Sequence, residues 1–271
     1  MTEQTGRDGT PGRDGTRGVS AAPVGSVARA IALLDAVAES DGGARVNELA
    51  RRIGVNPSTA SRLLGTLEAG GLVEREPGGP YRLGLKLVAL SDRVLGQLDV
   101  RDQARPWLIW LVEETGETAT LSVPGGGEAI TVDFVPSPSS VVSLARLGRP
   151  SVAHATAAGK VMLAFGPRAS ARPDVPSAGL TPFTERTITD PAALKGELEQ
   201  VRAAGVAEAV GEREPDLNAL AAPVRGRGGE LVAILGLQGP AARLPASTRQ
   251  SLRAPLLRAA GELGQSLGGP G

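Results

Sequence analysis

The sequence predicts an α+β fold in two unequal parts, and three observations lead there. The length, 271 residues, exceeds the usual size of one domain. The first third carries helical apolar spacing that ends in a short strand-turn-strand. The remainder interleaves strand-like runs with helices but without the regular alternation of a parallel sheet. Hydrophobic residues make up 41% of the chain and aromatics only 2%, so both cores must rest on Leu, Val, Ile and Ala.

Residues 1–23 hold the near-repeat GRDGT, GRDGT with almost no apolar side chains, and read as a disordered tail. Glycine does not hold every third position, which excludes a collagen helix. Ser26 is a candidate cap for a first helix whose inner face is expected to be Val27, Ala30, Ile31, Leu34, Val37 and Ala38, ending before Asp41-Gly42-Gly43.

The stretch Val46 to Leu67 reads as helix, tight turn, helix. Leu49, Ala50 and Ile53 give the first helix an inner face while Arg51 and Arg52 point outward, and Gly54 ends it. Asn56 is a favoured N-cap and Pro57 suits the first helical position, so the second helix begins at Pro57. Ala60, Leu63, Leu64 and Leu67 form its inward stripe. Ser58, Thr59, Ser61, Arg62 and Thr66 are left on the outside, a small, hydroxyl-bearing face with one Arg able to read guanine bidentately. Between Arg45 and Arg62 four arginines stand against Glu48 alone, so this face is net positive and attracts phosphates. Leu72 to Arg75 and Tyr81 to Leu83, joined by a Pro77-Gly78-Gly79-Pro80 turn, read as a two-stranded hairpin. A helix-turn-helix followed by such a hairpin is a winged helix, with Arg75 and Arg82 placed to meet DNA phosphates.

Gly84 to Leu98 is amphipathic and reads as a linker helix, with Leu85, Val88, Leu95 and Leu98 available to pack. The boundaries expected are 24–84 for the winged helix, 85–99 for the linker and 100–271 for the second domain. There, Arg101 to Thr115 continues as helix, with Trp107 and Trp110 as packing residues and Gly116 closing it. Strands follow at Thr118 to Val123, Glu128 to Val135 and Val141 to Ala145, read as an antiparallel meander. Helices are expected at Ala155 to Phe165, Leu194 to Ala204 and Ser247 to Leu267, with strands at Leu220 to Val224 and Leu231 to Gln238.

Formal net charge is zero, from 29 basic and 29 acidic residues, so the whole-chain balance decides nothing about nucleic acid. There are no cysteines, which excludes disulfides, thiol catalysis and the usual structural zinc sites, and suits a reducing cytoplasm. No cofactor or metal is expected. No secretory signal and no membrane-spanning run is legible. His154, the only histidine, has no partner set for catalysis and reads as a structural hydrogen-bonder. Ala158-Gly159-Lys160 fails as a phosphate loop, because His154 occupies the early Gly position and Val161 follows the Lys. Glu212, Glu214 and Asp216 read as a solvated surface loop.

Several separate stretches carry a likeness to a known family: SVARAIALLDAVAES, NELARRIGVNPSTASRLLGTLEAGGLVERE, YRLG, ARPWLIWLVEETGETATLSV, LGRPSVAHATAAGKVMLAF, LTPFTERTITDPAALKGELEQVRAAGVA, NALAAPVR and LVAILGLQGPAARL. In that order, over nearly everything after Val24, the chain resembles the IclR family of bacterial transcriptional regulators. The resemblance implies a winged helix-turn-helix that binds a double-stranded DNA operator, a linker helix used in dimerisation, and a C-terminal GAF-like domain with an antiparallel sheet flanked by helices. It also implies a small-molecule effector, often a carboxylate or aromatic acid, and assembly as a homodimer or dimer of dimers. The family's effector lies between the helix near HATAAGK and the strands near NALAAPV and ILGLQG.

On that basis the expected pocket joins the first N–H groups of a helix at Thr156, Ala157 and Ala158 to the amides of Asn218 and Gln238, with Leu144, Leu147, Leu217 and Ala219 as an apolar wall. Gly236 is expected to leave room beside Gln238. Two other readings stay open on sequence alone: an enzyme that turns its small molecule over, and a DNA-binding adaptor whose second domain binds only protein.

Overall fold

The computed structural model describes residues 25–40, 42–76, 79–95, 99–141, 145–167 and 180–269. The expected tail at 1–23 lies outside them. The chain divides into two compact units, Met1–Arg93 and Val94–Gly271.

In the first unit, helix α1 (Gly25–Ala38) packs with α2 (Val46–Arg52) and α3 (Pro57–Ala69) around Leu33, Leu49, Ala60, Leu64 and Val73, all fully buried. Each such leucine contributes about 1.5–3 kcal/mol by leaving water. The sequence misplaces the inner face of α1. Leu33, Ala36 and Val37 are buried, whereas Val27 and Ile31 are 56% and 55% exposed, and the described helix already includes Ser26. The stretch AIALLDAVA is apolar on two adjacent stripes, so spacing alone cannot choose between them.

The turn between α2 and α3 uses Gly54 at φ 71°, a left-handed conformation that other residues reach only with strain. Asn56 caps α3 as expected: its carboxamide oxygen accepts from Thr59 N at 2.8 Å and from Ser58 Oγ at 2.9 Å. The wing is β1 (Val73–Arg75) paired antiparallel with β2 (Tyr81–Leu83), and Ala44 extends the ladder through hydrogen bonds to Tyr81. Two residues of the expected wing turn, 77 and 78, lie outside the described residues. Helix α4 (Lys86–Leu95) follows; Leu85, just before it, is 75% exposed and Val88 within it 65%. Residues 96–98 of the expected linker helix are outside the described residues.

The second unit is built on an antiparallel sheet of order β4-β3-β7-β6-β5, formed by β3 (Thr118–Gly125), β4 (Glu128–Val135), β5 (Ala207–Val210), β6 (Leu217–Arg225) and β7 (Leu231–Pro240). One face packs on α5 (Asp99–Thr115) and α8 (Ala246–Ser266) through Leu108, Leu111, Leu121, Leu220, Leu235 and Leu256. The other packs on α6 (Ala157–Phe165) and α7 (Pro191–Ala204) through Val161, Leu194, Leu198, Ala221 and Ile234. Trp107 and Trp110 meet edge to face at 5.9 Å beside the first core.

Two strand expectations change. Val141 and Ala145 belong to no strand, 142–144 are outside the described residues, and the second neighbour of β3 is β7. Strand β5 goes unforeseen, because Ala-Glu-Ala-Val is short and its small side chains give little alternation signal. No helix of the described residues is long and apolar enough to cross a membrane.

Candidate functional site

The outer face of α3 is open. Ser58, Ser61, Arg62 and Thr66 are exposed and Thr59 half-buried, while Ala60, Leu64 and Leu67 are buried beneath them. Thr66 Oγ1 donates back to Arg62 O at 3.1 Å, which leaves its oxygen lone pairs outward. Among the described residues Arg62 and Arg51 make no ion pair. Arg52 differs. It donates to Ala36 O at 3.1 Å and Ser40 Oγ at 3.3 Å and lies 3.8 Å from Glu39 and Glu48, so it staples α2 to the end of α1. Arg82 is similarly engaged, with Gly42 O at 3.1 Å and Glu76 at 2.8 Å. Arg75 is exposed, its guanidinium 5.6 Å from the centre of the Tyr81 ring.

In the second unit a cavity of about 120 Å³ opens where the start of α6 meets β4, β6 and β7. Thr156 caps α6: its Oγ1 accepts from Gly159 N at 3.1 Å, while its own N–H is taken by Val152 O at 3.1 Å. The free N–H groups at this end are therefore those of Ala157 and Ala158, one residue later than the sequence suggests. Thr131, Leu217 and Gln238 come up from the strands. The loop of residues 145–151 runs along β4, where Gly148 N donates to Thr131 O and Ser151 N to Ala129 O, both at 2.8 Å. That anchoring brings Arg146 and Arg149 into the lining.

Arg213 and Glu214 enter from the loop after β5, which is fixed from below. Lys160 of α6, fully buried, donates to Glu212 Oε1 at 2.7 Å, to Glu197 Oε1 at 3.0 Å and to Glu208 O at 2.8 Å. Thr187 Oγ1 donates to Glu212 O at 2.6 Å and Thr184 Oγ1 to Gly211 O at 2.7 Å. The Arg213 guanidinium sits 5.5 Å from the Phe183 ring. Burial lowers its proton affinity and the like charge of Arg149 lowers it further, with Glu214 acting the other way. Among the described residues none of Arg146, Arg149 and Arg213 has an ion-pair partner.

Residues 26–77 match the IclR helix-turn-helix domain and residues 92–265 the domain described as bacterial transcriptional regulator IclR C-terminal. The chain belongs to the IclR family. Among its relatives, the HTH-type transcriptional regulator XynR of Escherichia coli is 31% identical over 90% of this chain and 98% of its own length. The IclR structure from Thermotoga maritima superposes with a TM-score of 0.68 at 30% identity, covering 90% of this chain and 98% of that one. An IclR homologue from Microbacterium hydrocarbonoxydans, crystallised with 4-hydroxybenzoate, gives 0.74 at 27% identity over 89% and 98%. The chain is thus a DNA-binding transcriptional regulator of the IclR family.

The structure brings together only part of the pocket expected from the sequence. Thr156, Leu217 and Gln238 line the cavity, with Ala157 and Ala158 at the adjoining helix start. Asn218 does not. It follows Leu217 on β6, so its side chain faces α8, where Nδ2 donates to Leu244 O at 2.9 Å in a buried site. Ala219 packs into the core under α6 and α7. A Cβ on Gly236 would collide with Thr120 Oγ1, so the space there is filled by Thr120. Leu147 is 51% exposed and outside the lining, and Leu144 falls outside the described residues.

Glu212 corrects the surface-loop reading of Glu212 to Asp216: it is 7% exposed and pairs with Lys160, although Glu214 and Asp216 are exposed. His154 is buried with Nε2 2.9 Å from Thr181 O, the structural role expected of it. The three arginines of the lining are what sequence reasoning missed. Their signal was slight, since Arg146 and Arg149 flank a Leu-Gly turn and Arg213 sits between two acids.

Proposed function

We propose that this IclR-family regulator binds its operator through α3 and the wing and releases or tightens that grip when a small carboxylate enters the cavity at the start of α6. The division of labour is a winged helix over 24–84, a linker helix over 85–99 and an effector domain over 100–271. Ser58, Thr59, Ser61, Arg62 and Thr66 face base edges and phosphates, Arg51 adds positive charge, and Arg75 and Arg82 meet the backbone from the wing. Arg82 must exchange Glu76 for a phosphate to do so, and Arg52 acts mainly by holding α1 to α2.

The observation that carries the effector half is the cavity itself, lined by Gln238, Thr156 at the cap of α6 and three arginines without ion-pair partners among the described residues. The relative crystallised with 4-hydroxybenzoate supports a carboxylate there. The domain binds its ligand without turning it over, a reading supported by relatives that are named as transcriptional regulators. The protein works in the cytoplasm, where its DNA lies, as a homodimer or dimer of dimers.

The test is a footprint on the DNA upstream of its own gene, titrated with carboxylates. Arg62→Ala should lose about 1–3 kcal/mol of specific binding and relax one base preference. Gln238→Leu should keep the footprint and lose the response to carboxylate. An unchanged footprint in the first variant would sink the orientation given to α3, and an undiminished response in the second would sink the pocket.

A further inference from the structure

We infer that the effector is a short dianion, a dicarboxylate of a few carbons, with one carboxylate on Arg213 and Arg149 and the second reaching Arg146 or the α6 N-terminus. This deepens the reading of the cavity as the effector site and rests on it.

The charge count comes first. Arg146, Arg149 and Arg213 line the cavity against one acid, Glu214, and none of the three has an ion-pair partner among the described residues. The lining therefore carries an excess of two positive charges. A monocarboxylate leaves one of them uncompensated beside the half-buried Arg213, whereas a dicarboxylate neutralises both. Arg149 lines the same cavity as Arg213 and is close enough to disfavour the charge on Arg213, and an anion between the two turns that repulsion into two attractions.

The walls agree. Among the described residues, Ala145, Pro150 and Leu217 are the apolar members of the lining and no aromatic ring joins them, a wall more polar than a benzoate ring calls for. The volume, about 120 Å³, falls below the roughly 300–1,000 Å³ of sites for drug-sized ligands, which suits a small acid. The site is also built in advance. The buried Lys160–Glu212 pair fixes the backbone next to Arg213, and two hydrogen bonds fix the loop that carries Arg146 and Arg149 to β4. The backbone that carries the three arginines is thus held before a ligand arrives.

The experiment is isothermal titration of the full-length protein with malonate, succinate and glutarate, with propionate, butyrate and valerate, and with 4-hydroxybenzoate, all at one ionic strength, with sodium sulfate as a further ligand. The expected result is that at least one dicarboxylate binds tenfold or more tighter than the monocarboxylate of equal length. Arg213→Gln and Arg149→Gln should each weaken it about 10–100-fold, the size of a lost charge-assisted hydrogen bond. Arg213→Lys should recover only part, since it keeps the charge without the two-pronged fork. Arg258→Gln, on α8 against the Trp110 ring, should change nothing.

Arg149 is exposed, so its variant keeps the test alive if changes at Arg213 disturb folding. Tighter binding of 4-hydroxybenzoate or a monocarboxylate than of every dicarboxylate overturns the dianion and leaves the effector site standing. Binding of no organic acid at all overturns both. Sulfate binding as tightly as the best dicarboxylate, or dicarboxylate binding indifferent to the arginine variants, overturns the assignment in favour of unselective anion attraction.

Discussion

Lys160 is the residue on which the second unit depends most directly. A fully buried ammonium survives only where its partners are fixed, and here Glu212, Glu197 and the Glu208 carbonyl take its three protons. Lys160→Met should cost about 3–5 kcal/mol, because Glu212 would stay buried with its charge uncompensated. The double variant Lys160→Met with Glu212→Gln should recover part of that. Urea unfolding followed by tryptophan fluorescence reads this unit selectively, since Trp107 and Trp110, the chain's only tryptophans, both lie in α5. A Lys160→Met protein as stable as the parent would contradict the role given to the pair.

The same residue illustrates what sequence reading could reach. His154 and Val161 around it exclude a phosphate loop, but Glu197 and Glu212 lie far along the chain and nothing local announces them. The arginines of the cavity were hidden for the same reason, arriving from two loops that only the sheet brings together. Asn218 was a different kind of miss. Leu217, Asn218 and Ala219 are consecutive in a strand, so no one pocket can receive all three, and the two-residue period alone would have separated them.

At the scale of elements, a boundary was legible where its chemical marker was used. Asn56-Pro57 fixes the start of α3 as expected, whereas α7 begins at Pro191 and not at the expected Leu194, because apolar spacing starts later than the cap, where the Asp190 carboxylate accepts from Ala192 N and Ala193 N. Strand β5 has no such marker, yet it is tied firmly into the fold. Glu208 on β5 accepts from Arg249 at 2.8 Å and Arg253 at 2.6 Å, which clamps the sheet edge to α8. Burial pushes the Glu208 carboxyl up, but the hydrogen bonds and charges of the two arginines outweigh it and hold the group below its ordinary value.

A carboxyl held low in the folded state adds stability that is fully present above its unfolded-state value and disappears as the pH falls through the folded one. Acid should therefore loosen the contact between β5 and α8 in that window. Glu208→Gln should flatten the acid limb of the stability profile and lower stability near neutrality, where the arginines lose their partner. Thermal unfolding between pH 3 and pH 7 measures this, and parallel profiles for the two proteins would argue against the clamp.

At the scale of the whole molecule, one copy of α3 presents a single small reading face, with Arg62 as its one long cation. An isolated face of that size gives weak binding, and specificity comes from pairing two of them on a two-fold symmetric operator. In the homodimer proposed above, the second copy needs an apolar surface on which to meet the first. Leu85 and Val88, three residues apart at and within the start of α4 and so on one face, are 75% and 65% exposed, an apolar surface open to a partner. The amphipathic pattern of 84–98 announced this face in the sequence, although only the fold establishes that the first unit leaves it uncovered by its own core.

Val88→Asp sets a charge on that face without touching the buried cluster of Leu33, Leu49 and Leu64. The variant should sediment as a monomer at micromolar concentration while its thermal unfolding stays near that of the parent. Its operator affinity should fall by two to four orders of magnitude, the gain that joining two modest half-site contacts confers. Its footprint should shrink to one half-site. A Val88→Asp protein that remains dimeric and covers both half-sites would place the dimer contact elsewhere and remove α4 from the path by which two reading helices are held in register.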